Sequence, residues 1–172
     1  MKTSPTLLLT AALGLLVSLS PVQAQTELLK NGRFASKLAG WELEAPASSG
    51  ATAVVEEDGS GSPAAHITVP SATAHTYDVK LIQPIYHAPQ DVGLRLSFRA
   101  RGEGKVSVSL RSMGGTWEVL WKETVELTGE WQEVQFDIPA ASWPGALRFD
   151  IGDLGASPAQ YWFSDISLTT ER

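Results

Sequence analysis

The chain has no cysteine. A disulfide framework, a thiolate metal site and a lipidated thiol near the start are therefore all excluded, and the fold must rest on core packing. Positive charge is also sparse: thirteen Lys and Arg stand against nineteen Asp and Glu, for a net charge of −6. No basic block stands out, which argues against broad nucleic-acid or anionic-membrane binding, since both need dense Lys/Arg surfaces. The three histidines, His66, His75 and His87, are scattered. There is no His-x-His pair, no Gly-x-Ser-x-Gly elbow and no phosphate-binding glycine loop. Carboxylates are plentiful, yet no pair takes a general acid/base role from spacing alone. Catalysis has no signature here.

The one apolar run comes first. Met1-Lys2-Thr3 gives a positive start, Leu7 to Leu19 is an apolar core, and Pro21-Val22-Gln23-Ala24 ends on a small residue. This is the layout of a secretory signal, and the run is short for a membrane span. The expected organisation is a leader over residues 1–24 and one domain over 25–172, exported to the periplasm or beyond.

The remainder reads as strand after strand. Leu94, Leu96, Phe98 and Ala100 alternate with Arg95, Ser97, Arg99 and Arg101. Val106, Val108 and Leu110 alternate with Ser107, Ser109 and Arg111, and Val134, Phe136 and Ile138 with Glu133, Gln135 and Asp137. Leu147, Phe149 and Ile151 alternate with Arg148 and Asp150. A period of two marks strands with one buried and one wet face. Turn signals interrupt at short intervals, among them Asn31-Gly32, Asp58-Gly59, Gly102 to Gly104, Gly114-Gly115 and Pro144-Gly145. No helical-length apolar stripe follows the leader. The class is all-β, and roughly ten such strands suit an antiparallel two-sheet sandwich with jelly-roll connectivity.

Several motifs carry a resemblance. Leu28-Leu29-Lys30-Asn31-Gly32-Arg33-Phe34 is followed by Gly40-Trp41, and later by Tyr77-Asp78-Val79-Lys80-Leu81-Ile82-Gln83. Leu96-Ser97-Phe98-Arg99-Ala100-Arg101, Thr128-Gly129-Glu130-Trp131-Gln132 and Phe163-Ser164-Asp165-Ile166-Ser167-Leu168 follow in order. In that order the chain resembles carbohydrate-binding modules of the family 4/9/22 type, jelly-roll sandwiches of galactose-binding-like architecture. The resemblance implies a non-catalytic protein that holds a poly- or oligosaccharide on a concave sheet face. Sugar rings stack their C–H faces on flat aromatics and bond sideways to polar groups.

Carried over by position, the resemblance puts a stacking ring at Tyr77 and polar contacts at Lys80, Gln83 and Asp150, with Arg148 nearby. The second ring falls on Trp117 or Trp121. Arg99, Arg101, Arg111, Lys80 and Arg148 all take the wet side of their strands. Sharing one sheet, they would form a basic cleft for an acidic glycan. Of the six tryptophans, Trp41 and Trp131 match framework positions and are expected in the core. The family's structural calcium draws on an acid after the opening phenylalanine and an acidic pair near the last strand. Ala35 and Ser164-Asp165 stand there, so calcium is expected to be absent, and no other cofactor is implied. A protein-interaction or envelope-assembly module is the alternative. A hydrolase or lyase comes last, since Gln83-Pro84-Ile85-Tyr86-His87 only faintly echoes the Gln-x-His pair of jelly-roll lyases.

Overall fold

The computed structural model describes residues 25–156 and 158–171, so the expected leader lies outside the described residues. The alternating segments form ten strands: β1 (Glu42–Glu44), β2 (Thr52–Glu57), β3 (Pro63–Val69), β4 (Lys80–Ile85), β5 (Val92–Arg101), β6 (Glu103–Ser112), β7 (Val119–Thr128), β8 (Gln132–Ala141), β9 (Leu147–Gly152) and β10 (Ala159–Thr170). Among the described residues the only helical elements are two short 3-10 turns, Ala47–Ser49 and Thr76–Asp78. None of the described helices is long and apolar enough to cross a membrane.

The strands make two antiparallel five-stranded sheets. The front sheet runs β1-β4-β9-β6-β7 and the back sheet β2-β3-β10-β5-β8. Only β2–β3 and β6–β7 are chain neighbours that also pair, so most connections cross between layers, as a jelly roll requires. The inward rows meet in one core: Leu94, Leu96 and Phe98 from β5, Val106, Val108 and Leu110 from β6, and Leu147, Phe149 and Ile151 from β9. Their alternate partners point to the outer faces, and that alternation fixes the register; on β6 and β9 the expected wet side is itself covered, with Ser107, Ser109 and Asp150 buried.

An opening loop ties the sheets together. Gln83, on the inward side of β4, exchanges two hydrogen bonds with Lys30: its side-chain amide donates to the Lys30 carbonyl at 2.9 Å and its oxygen accepts from the Lys30 N–H at 2.5 Å. Two residues on, Gly32 accepts from the Ile166 N–H at 3.0 Å. That contact lies at a bulge where the β10–β5 pairing slips between Ser164 and Ser167. A Cβ on Gly32 would stand 1.7 Å from the Ile166 carbonyl oxygen, so only glycine fits. Trp41 closes the loop against Phe34 and Phe149, with ring centroids 5.6 and 6.1 Å away.

Trp41 thus fills its framework position, but Trp131 does not. Trp131 lies partly exposed on the outer face of the back sheet, with its indole N–H on the Asp58 carbonyl at 3.3 Å and the Arg99 guanidinium 4.8 Å above the ring. Glu133 and Gln135, which follow it, face outward too, so Trp131 precedes β8 on the wet side of the alternation.

Candidate functional site

The outer face of the front sheet is a grid of polar side chains. One row joins Glu44 to Lys80, the next carries Glu42, Ile82, Asp150, Ser109 and Lys122, and the third Pro84, Arg148, Arg111 and Val119. From Lys80 to Pro84 the grid spans about 13 Å along the strand.

Its centre is a connected charge network. The Arg148 guanidinium reaches both oxygens of Asp150, at 2.6 and 2.9 Å, and donates to Glu44 at 2.9 Å. Arg111 Nε lies 2.9 Å from the same Asp150 carboxylate. Lys80 pairs with the other Glu44 oxygen. Asp150 is 1% exposed, so the ion pairs are built into the floor rather than floating on it. Burial pushes the Asp150 carboxyl above its usual range, with Arg148, Arg111 and Lys80 pulling against that shift. For Glu44 burial acts the same way, but Lys80 and Arg148 win and hold it low. Burial opposes the Arg148 charge, yet Asp150 and Glu44 raise its pKa further.

Aromatic rings stand at both ends of the grid. Tyr77, 53% exposed, sits in the turn before β4 and stacks on His75 at 5.0 Å. Trp117, 45% exposed, ends the β6–β7 loop with the Arg148 guanidinium 4.9 Å from its ring centroid. Its φ of 54° is left-handed, which costs a bulky residue about 1–2 kcal/mol. Tyr86, just past β4, is exposed as well.

Three of the sequence-proposed residues stand apart from this group. Trp121 points inward: the β6–β7 register slips by one residue, so Leu110 faces Trp121 while Arg111 faces Val119. The extra residue, Leu120, breaks the shared parity of Trp117 and Trp121. Trp121 then packs edge-on against Phe136, with ring centroids 5.7 Å apart. Gln83 is buried and committed to Lys30. Arg99 lies with Arg101 on the outer face of the back sheet, so the five cations do not share one cleft. There, Arg101 and Arg99 interleave with Trp162 and Trp131. Glu44 joins the group from β1, whose three residues, Glu42-Leu43-Glu44, are too few to mark a strand by alternation.

A hollow of about 990 Å³ opens on the back sheet, between the opening loop and Ser97, Arg99, Gln135 and Asp165. Both positions that match the family's calcium acids line it or lie beside it. Ala35 offers no ligand, and Ser164 is buried with its hydroxyl unpartnered. Asp165 faces two guanidiniums, Arg33 Nε and Arg99 Nη1, each at 3.9 Å. No group of three or more His, Cys, Asp or Glu side chains able to hold a metal exists among the described residues. Calcium draws on six to eight oxygens, and of the positions that match the family's acids only Asp165 supplies a carboxylate.

Comparison with known proteins gives the family: a model described as carbohydrate binding domain matches residues 26–149, and the chain belongs to that family. Among solved structures, a CBM4 is 19% identical with a TM-score of 0.71, over 83% of this chain and 99% of that one. A CBM61 in complex with β-1,4-galactotriose is also 19% identical, with a TM-score of 0.62 over 85% and 99% of the two chains. A Stig cyclase from Fischerella, in complex with a pyrrolidinylidene-indole, shares the fold at 12% identity and a TM-score of 0.64, over 86% and 98%. Comparison with curated protein sequences yields no match.

Proposed function

We propose that this carbohydrate-binding domain captures a poly- or oligosaccharide on the outer face of the front sheet, without catalysing a reaction. The observation that carries the reading is the pairing of exposed rings, Tyr77 and Trp117, with the polar floor of Lys80, Arg148, Asp150 and Arg111 between them. Rings supply stacking and the floor supplies sideways hydrogen bonds, the two contacts a pyranose offers. The chain acts after export, with residues 1–24 as its leader, and needs no calcium.

An anionic glycan is the favoured ligand. Lys80, Arg111 and Arg148 stand together on this floor with Glu44 and Asp150, and these three cations are the groups a ligand carboxylate would pair with. A glycan array with the purified domain tests the reading. Uronate-containing polysaccharides should be retained and should release as salt rises. Retention of neutral glycans alone, unmoved by salt, would remove the charge preference. Failure to retain any glycan would remove the carbohydrate reading.

A further inference from the structure

We infer that Arg148 and Asp150 are positioning residues that hold the Trp117 ring in place from beneath; the inference rests on the carbohydrate reading above. Three observations converge on the ring. Its backbone is in the left-handed region, which a bulky residue occupies only where the surroundings over-determine it. The loop it ends is closed at its base: Ser112 N–H donates to the Glu118 carbonyl at 2.9 Å, and Glu118 N–H donates back to the Ser112 hydroxyl at 3.0 Å. Met113 N–H is held by the Ala146 carbonyl at 3.0 Å.

The floor then fixes the side chain. The Arg148 guanidinium lies 4.9 Å from the Trp117 ring centroid, and Arg111 donates to the Trp117 carbonyl at 3.5 Å. Both arginines are anchored on one buried carboxylate, Asp150. A planar cation therefore occupies one side of the indole, while the ring keeps 45% exposure for a ligand. A ring ordered before binding loses less rotamer freedom when a sugar arrives. Asp150 and Arg148 thus act on affinity through Trp117.

Two measurements on the purified domain test this. The six tryptophans are labelled with 5-fluorotryptophan, and the Trp117 resonance is assigned by its loss in Trp117→Phe. Arg148→Lys, which keeps the charge but not the plane, should shift and broaden that resonance more than the other five. Asp150→Asn should do the same. In native gels containing xylan, mixed-linkage β-glucan or polygalacturonate, Arg148→Lys should be retained roughly tenfold more weakly than the parent, although Trp117 is present. An unmoved Trp117 resonance in Arg148→Lys would overturn the positioning role, as would full retention of that variant. Asp150→Asn is judged only if its far-UV spectrum matches the parent; Arg148→Lys decides alone otherwise. If the parent binds none of the three polysaccharides, the carbohydrate reading is what fails, and the fluorine spectra still decide whether Arg148 and Asp150 position the Trp117 ring.

Discussion

Arg99 donates to the buried carboxylate of Asp58 at 2.9 Å on the sheet face opposite the candidate site. Asp58 also accepts from the Ser60 hydroxyl and from the Ser60 and Ser62 backbone N–H groups. The Ser60 hydroxyl does most to hold the carboxylate low; burial opposes it, and the two N–H groups and Arg99 add to it, leaving a pKa of about 2 against the ordinary 3.8. A pKa lower in the folded state means that the ionised form stabilises the fold. That contribution is fully present above about pH 4 and fades as pH falls toward 2. Urea titrations of the parent and Asp58→Asn should differ by a constant amount from pH 7 to 4, then converge. A gap that persists unchanged at pH 2.5 would contradict this.

Gly32 carries a second prediction. Its contact with the Ile166 carbonyl leaves no room for a methyl group, so Gly32→Ala must push the opening loop off the β10 bulge. The expected loss is about 2 kcal/mol or more, within the range for a backbone forced apart. Chemical denaturation measures it. Gly59→Ala is the comparison, because nothing lies within 4 Å of its Cβ position and only its left-handed φ is strained.

Calcium should leave the fold unmoved. Two guanidiniums face Asp165, and a divalent cation beside that carboxylate would meet their repulsion. The melting temperature should be the same in millimolar calcium and in EDTA. A rise of several degrees with calcium would show that a site exists and that the arginines move aside.

The two tryptophans of the β6–β7 hairpin should separate cleanly. Trp121→Ala removes a ring packed on Phe136 and should cost about 3 kcal/mol of stability while leaving glycan retention intact. Trp117→Ala removes an exposed ring and should do the reverse. Denaturation curves and affinity gels on both variants give the comparison. Loss of retention in Trp121→Ala at unchanged stability would place the ligand elsewhere.

The fold was legible because alternation survives along β5, β6, β8 and β9, and a period of two needs no tertiary information to be read. The candidate face is legible only where that alternation is unbroken. Lys80, Arg111, Arg148 and Asp150 came out on one face because their strands run regularly through the front sheet. Trp121 was misplaced because parity was counted through Leu120, and a bulge leaves no mark on a sequence. Arg99 shared the pattern of Arg111, but nothing in the pattern says which layer a strand joins. Trp131 was assigned to the core by its motif, whereas the cross-strand register sets it on the wet face with Glu133. Glu44 was passed over because β1 has three residues, too few for alternation to speak.

Backbone amide chemical-shift mapping locates the bound glycan on one sheet face or the other. An oligosaccharide of the glycan best retained on the array is titrated into the isotope-labelled domain. The largest shifts should cluster on the front face, at Ser107, Ser109, Gly152, Val119 and the Trp117 loop. Shifts centred instead on Thr68, Ser97, Gln135 and the Trp131–Trp162 side would contradict the account.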